Sequence, residues 1–445
     1  MRRPCINAIN SDGHHSHLSR RSVLAGLSAA ATCGFGMARA QNKPQPPRGT
    51  NGPVITGAAS AVAASFKQFA GKRIGLIANQ TSLVESEHLV DIISRTSSVK
   101  LAAIFAPEHG FRGSAEAGAS VRNGRDAKSG VPMFSLYGAT KKPTPEMLRG
   151  IDLLVFDIQD VGVRSYTYIS TMGLAMQAAA EARIPFVVLD RPNPIGGEDV
   201  SGFVLEPAFK SFVGQYPIPI THAMTVGELA TMIKGERWLT GLSALDLTVI
   251  PCTGWTRSMR WPSTGLTWIA TSPNIPTFET ALMYPGIGLV GDTLVNEGRG
   301  TPAPFTQFGA PWFDATQAAA ALNARRLAGA RFDATAYTPK AIANVATNPR
   351  FEGQRIGAVH ITATDINVFK PVDVGIHALA ELQRQAKSRN ATLFGSLGMF
   401  HAVSGTRRLH QMIERGATGD EIIAAWSGEV AAFRKQRQRY LMYPS

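Results

Sequence analysis

Carboxylates and arginines recur through this chain in a spacing that suits acid–base chemistry on a polar bond. Glu108, Asp157, Asp160, Asp190, Glu279 and Glu297 each follow a short apolar run or lie in a loop-rich stretch, with Arg112, Arg164, Arg191 and Arg299 near them in sequence. Two carboxyl groups facing one bond can divide the work of proton donor and charge stabiliser when their surroundings hold them in different protonation states. Asp157 and Asp190 end apolar runs directly, so for these two a structural cap or ion pair is the leading reading. A metal site drawn from Glu108, His109, Asp157, Asp160 and His222 is an alternative, because metal ligands can be distant in sequence. There is no His-Glu-x-x-His, no paired Cys and no Gly-x-Ser-x-Gly elbow. Tyr166, Tyr168, Trp255, Trp261 and Trp268 read either as an aromatic platform for an apolar sugar face or as core.

The elements that must position these groups are visible as continuous apolar runs. Ile74–Ala78 leads into Asn79-Gln80-Thr81-Ser82, and Leu101–Phe105 into Pro107-Glu108-His109-Gly110. Leu153–Phe156 leads into Asp157–Arg164, and Phe186–Leu189 into Asp190-Arg191-Pro192-Asn193-Pro194. Runs of this length, separated by helix-like stretches at Val84–Ser94 and Ile169–Ala182, read as buried parallel strands. Ligands of such sheets bind outside the carboxyl ends of the strands, so the four polar clusters should face one crevice. Thr225 and Glu228 form a capping box that opens a helix, followed by a strand at Leu247–Ile250. Between Pro251 and Pro311 the sequence turns to Trp, Pro, Gly, Thr and Asn, and a domain boundary is expected near residue 270. Beyond it, helices at Ala315–Arg326, Val372–Ser388 and Gly419–Arg437 and a strand at Ile356–Thr364 predict a smaller α+β domain.

At 445 residues the chain exceeds one ordinary core, and 44% apolar with 17% charged residues describes a globular protein. The first 40 residues carry five Arg and one Asp, so the net charge of +13 becomes +9 without them. The remaining basic residues are scattered, with no basic run interleaved with aromatics, which argues against nucleic acid and leaves an anionic polymer as a suitable partner. Arg20-Arg21 precede an apolar stretch, Val23–Met37, and Ala38-Arg39-Ala40 forms a small-x-small cleavage site. Residues 1–40 are therefore expected to be a twin-arginine signal, 41–56 a linker and 57–270 the catalytic sheet domain, with 271–445 completing the cleft. The mature chain is expected in the periplasm, without stable membrane insertion. Cys252 alone remains after the leader, so no internal disulfide is expected.

Gly286-Ile287-Gly288-Leu289-Val290-Gly291 matches the dinucleotide fingerprint. That motif works only between a strand and the helix it opens. The residues after it do not read as a helix, so no nicotinamide or flavin cofactor is expected.

Taken together, Gly75–Ser82, Pro107–Gly113, Phe156–Tyr168, Leu189–Pro194, Tyr216–Ile220 with His222, Ser272–Thr277 with Glu279, and Gly298–Thr301 resemble the NamZ-type exo-β-N-acetylmuramidases. These are glycoside hydrolases of bacterial cell-wall turnover. The resemblance implies a Rossmann-like N-terminal domain, a smaller C-terminal domain and an active site in the cleft between them. It also implies release of N-acetylmuramic acid from the non-reducing end of peptidoglycan fragments, without a cofactor. A metal-dependent cell-wall amidase or esterase and a non-catalytic cell-wall binding protein are the alternatives.

On this reading Glu108 is the general acid, kept protonated between Phe105 and Phe111. Asp160 or Glu279 stabilises the cationic transition state or orients the substrate's acetamido group. Arg164 and Arg299 suit the lactyl carboxylate, and His109, His222 and Asn193 suit sugar hydroxyls. Asn79, Tyr166 and Glu297 complete the expected substrate contacts. One stretch departs from the family pattern: an acidic Glu-Gly-Thr-Asn usually precedes Gly-Arg-Gly-Thr, whereas this chain has Gly291-Asp292-Thr293-Leu294. Asp292 or Glu297 is the candidate replacement.

Overall fold

The computed structural model describes residues 52–111, 116, 118 and 123–445. The expected leader, most of the linker and Arg112 lie outside the described residues.

The apolar runs form a seven-stranded sheet. Its members are β1 (Arg73–Ala78), β2 (Lys100–Ala106), β3 (Gly124–Arg125), β4 (Pro132–Ser135), β5 (Leu153–Asp157), β6 (Phe186–Leu189) and β7 (Leu247–Ile250). They lie in the order β3-β4-β2-β1-β5-β6-β7, and only β3 pairs antiparallel. The six parallel strands thus reproduce the 3-2-1-4-5-6 order of dinucleotide-binding folds, with the switch point between β1 and β5. Alternation within β1 explains its burial on both faces. Ile74, Leu76 and Ala78 pack with α1 (Gly57–Ala63) and α2 (Leu89–Arg95), whereas Ile77 joins the core built with α3 (Tyr168–Ala182) and α4 (Val226–Gly235).

Two helices differ from the sequence reading. The expected helix from Val84 begins only at Leu89, because Leu83–Val84 and Glu87–His88 pair as a small hairpin with Glu85 at φ +54°. His88 caps the helix by accepting from Val90 N, while its Nε2 bonds the carbonyl of Asn79. The expected Gly419–Arg437 helix divides at Trp426 into two helices, Gly419–Ala425 and Ser427–Arg437. Trp426 is buried edge-on against Phe203, and this anchor interrupts the helix.

The largest difference is α5 (Phe278–Gly291), in the stretch expected to be loop. It is buried on nearly all sides, so it lacks the 3.6-residue periodicity of a half-exposed helix, and Pro285 stands inside it. The Gly-rich string is therefore the end of a helix, with no phosphate-cradling turn. Gly286 meets Gly375 of α7 (Pro371–Ser388), and a Cβ on Gly286 would sit 2.0 Å from the Pro371 carbonyl oxygen. The glycines serve close helix crossing.

Beyond α5, a three-stranded antiparallel sheet runs β8 (Gln307–Ala310), β10 (Ile356–Ala363), β9 (Ala330–Tyr337) in space. Helix α6 (Ala315–Ala324) packs on β9 and α7 packs on both α5 and α6.

Candidate active site

Glu108 leaves the end of β2 through a tight turn in which Gly110 N donates to the Pro107 carbonyl, 3.0 Å. His109 (φ +69°) and Gly110 (φ +76°) both adopt left-handed backbone, which an L-residue such as His109 rarely does. The turn leaves the Glu108 carboxyl half-buried. Its Oε2 accepts from Thr167 Oγ1 at 2.6 Å, and its Oε1 accepts from Gly118 N at 3.0 Å. Thr167 immediately precedes α3, so the start of that helix is tied to the end of β2. Tyr137, just after β4, lies beside the same carboxyl; burial and the neighbouring carboxylate push its phenol well above the ordinary value. Phe105 and Phe111 belong to cores on opposite faces of the sheet, and the Glu108 carboxyl meets hydrogen-bond donors.

A row of aromatic rings links this strand end to the C-terminal part of the chain. Tyr168 and Tyr166 meet edge-on at 5.0 Å, Tyr166 and Tyr284 at 5.8 Å, and Tyr284 and Phe305 at 5.0 Å between ring centres. Tyr166 donates to Thr271 Oγ1 (2.7 Å) and Tyr168 to the Thr271 carbonyl (2.5 Å), which fixes the strap carrying residues 270–272. Gln80 holds the same strap through the carbonyls of Ala270 and Thr271. At the far end of the row, the Arg299 guanidinium lies 5.0 Å above the Phe305 ring and donates to Glu297 at 2.7 Å. Arg299 keeps 36% of its side chain exposed, so it retains a face for an anion. Burial raises the Tyr284 phenol to about 12, with Ser165, Arg299, Asp292 and Glu108 all within electrostatic reach of it. Burial and the adjacent Glu297 carboxylate raise Asp292 to about 7.

Several expected ligands are engaged elsewhere. Arg164, expected to bind a carboxylate, is fully buried and donates to the carbonyls of Phe203, Ile218 and Val403. It is a clamp for loops, and burial lowers it to about 9. Asn193 is held in a turn, donating to the Met224 carbonyl and accepting from Ile195 N. His222 is buried, accepts from Met224 N and is pushed down to about 3 by burial and the cations Arg437 and Arg164. Arg164 and Asn193 are part of the scaffold, a placement that strand-end position alone does not reveal, while His222 keeps a buried Nε2 without a partner. Glu279 is exposed in the first turn of α5, where a carboxylate complements the helix dipole. Asp160 is buried at the end of the β5 turn; its Oδ2 accepts from Gly162 N at 2.6 Å while Oδ1 has no partner, and burial raises it to about 7. Asn79 Oδ1 accepts from both Thr81 donors, and its Nδ2 is buried without a partner. His109 is buried at the turn itself.

Asp157 and Asp190 are structural. Asp157 forms a buried pair with Arg191 at 2.6 Å, and Asp190 accepts from Tyr443, Thr225 and Gly227 at the start of α4. The tryptophans are largely core: Trp255 packs edge-on with Tyr443, and Trp261 with Trp268. Thr167, Tyr137, Tyr284 and Thr271 were not singled out by sequence. Tyr137 follows a run too short to stand out, and Tyr284 lies in the helix that lacks periodicity. Among the described residues no three His, Cys, Asp or Glu side chains group as a metal site, and no helix is long and apolar enough to cross a membrane.

The parallel sheet, the smaller antiparallel sheet after α5 and the carboxyl groups at the strand ends define a two-part α/β protein whose sequence has no nucleophile elbow. Models of the exo-β-N-acetylmuramidase NamZ N-terminal and C-terminal domains match residues 74–279 and 282–443. The chain belongs to this family of glycosidases. It is 43% identical over 381 residues to the peptidoglycan β-N-acetylmuramidase NamZ of Bacillus subtilis, covering 85% of this chain and 88% of that protein. Two crystal structures of DUF1343 family proteins from Bacteroides fragilis are also similar. One has a TM-score of 0.81 at 36% identity and the other 0.72 at 35%; each match covers 88% of this chain and at least 99% of the other.

Proposed function

We propose that this protein is an exo-acting glycosidase that releases N-acetylmuramic acid from the non-reducing ends of peptidoglycan fragments. The observation that carries this reading is the row of packed rings, Tyr168, Tyr166, Tyr284 and Phe305, that leads from the strand-end region of Glu108 to the half-exposed Arg299. Aromatic edges and carboxyl groups suit a sugar ring, and a guanidinium stacked on Phe305 suits the lactyl carboxylate that distinguishes muramic acid from glucosamine. Arg299 takes the carboxylate-binding role alone, since Arg164 is consumed by backbone carbonyls. Glu108 is the central carboxyl of the site.

The enzyme acts outside the cytoplasm, reached through the Arg20-Arg21 leader, where cell-wall fragments are available. Replacing both arginines with lysine should keep the protein in the cytoplasm; undiminished export would refute the twin-arginine route.

The activity test is incubation of residues 41–445 with a chromogenic β-N-acetylmuramide and with its N-acetylglucosaminide analogue, each with and without EDTA. Release from the muramide alone, unchanged by EDTA, is the expected result. Release that EDTA abolishes, or none from either sugar, would overturn the reading.

A further inference from the structure

We propose that a cavity at the junction of the two parts of this protein is a second ligand site, which takes a zwitterionic amino-acid group, as in a free amino acid or the end of a short peptide. The proposal stands apart from the muramidase reading, since none of the residues lining this cavity contributes to the surroundings of Glu108 or Arg299 described above. The cavity holds about 370 Å³, within the usual size of small-molecule sites. Its walls are the loop after β6, which carries Glu198 and Asp199, the loop after β7, which carries Arg260, the segment before α7 with Lys370, and Arg434 of the helix Ser427–Arg437.

The local sequence builds this cavity by close approach of the first two loops. Gly196, at φ +91°, and Gly197 let them meet. Gly197 N donates to the Arg257 carbonyl at 2.7 Å, and a Cβ on Gly197 would lie 3.0 Å from the Arg257 Cβ. Arg257 is used up in this contact, donating to the Gly197 and Ala223 carbonyls and pairing with the buried Glu228. Arg260, on the same loop, is not used up. It is 7% exposed, yet its guanidinium spends Nη2 on the Phe369 carbonyl at 2.9 Å and leaves a buried Nη1 without a partner. Asp199 Oδ2 is likewise buried without a donor.

A buried guanidinium nitrogen and a buried carboxylate oxygen are both costly to leave unmatched, and here their residues line one cavity while neither atom bonds the other. A ligand that answers both carries an anionic acceptor for Arg260 and a cationic donor for Asp199. The exposed charges at the rim repeat the division, with Lys370 and Arg434 beside Arg260 and Glu198 beside Asp199. A simple anion would also face two carboxylates, and a simple cation would also face those three basic groups. An ammonium and a carboxylate a few bonds apart match both sides.

Isothermal titration calorimetry on residues 41–445 tests this, with alanine, with alanylalanine in its L,L and D,D forms, with the N-acetylated and the C-terminally amidated dipeptides, and with inorganic phosphate. Saturable binding of alanine or of at least one free dipeptide is expected, with each blocked form at least about tenfold weaker. Preference for the D,D form would identify a peptide of the kind built from D-amino acids, and preference for the L,L form an ordinary peptide. Arg260→Gln should weaken the free zwitterion by at least about tenfold. Asp199→Asn should weaken it similarly while bringing the N-acetylated dipeptide level with its parent. No saturable binding of any zwitterion, blocked forms that bind as well as their parents, or binding of phosphate alone would overturn the proposal. If neither variant folds, the comparison of free with blocked dipeptides on the unmodified protein decides. The result does not depend on sugar hydrolysis, so failure of the muramidase reading leaves it standing.

Discussion

The strand ends of β5 and β6 and the strand end of β2 carry the same residue types and use them differently. At β5 and β6, Asp157 is locked to Arg191, and Asp190 receives Tyr443, Thr225 and Gly227; nearby Glu228 holds Arg257 at 2.7 Å. These groups are almost fully buried, and each charge is answered by the protein itself. At β2, Glu108 stays half-buried and its donors come from a loop and a helix start, and in the C-terminal part Arg299 keeps an open face. Buried charges are tolerated when paired, and a group free to meet a substrate is one the fold leaves incompletely satisfied. Position at a strand end therefore nominates a residue, and the completeness of its partners decides its job.

Substitutions can sharpen or break this contrast. The largest effect is expected for Glu108→Gln, which should lower kcat/KM by about a thousandfold or more while moving the melting temperature little. Comparing steady-state kinetics with a thermal melt checks both halves. Arg257→Met should do the reverse, costing about 3–5 kcal/mol by stranding Glu228, whose side chain is fully buried; urea unfolding would measure it. Gly286→Ala should cost about 1–3 kcal/mol by forcing α5 from α7, a loss a denaturant midpoint would show. Tyr443→Phe removes the donor to Asp190 and the acceptor of Cys252 N, and about 1–2 kcal/mol should be lost in the same assay.

The smallest effect concerns Asp160. Its raised folded-state value of about 7 means that the folded protein holds a proton the unfolded chain releases near 4. The stability this contributes is present at acid pH and is lost as pH rises from about 4 through about 7. Asp160→Asn should therefore melt about 2 °C higher relative to wild type at pH 8 than at pH 4.5. An equal offset at both pH values would assign Asp160 a different environment.

The parallel sheet was legible because each of its main strands is buried on both faces and so reads as an unbroken apolar run. The capping box at Thr225 and Glu228 was equally legible, being a local exchange of hydrogen bonds. Helix α5 was not, because a helix buried on every side loses the polar stripe that makes its period visible. Glu108 was legible as a strand-end residue and Arg299 as a loop residue. Thr167, Tyr137 and Tyr284 were not, since each gains its role from a neighbour distant in sequence.

The order of residues alone determined the α/β class, the crevice at the strand ends, the family resemblance and the set of polar side chains from which a site could be built. Tertiary structure alone decided which of those side chains are consumed. Arg164 meets three carbonyls from segments as much as 239 residues away, and Tyr443 reaches Asp190 from 253 residues downstream. Hydrogen bonding and desolvation depend on what the folded chain brings within a few ångströms, and that distance is not a property of local sequence.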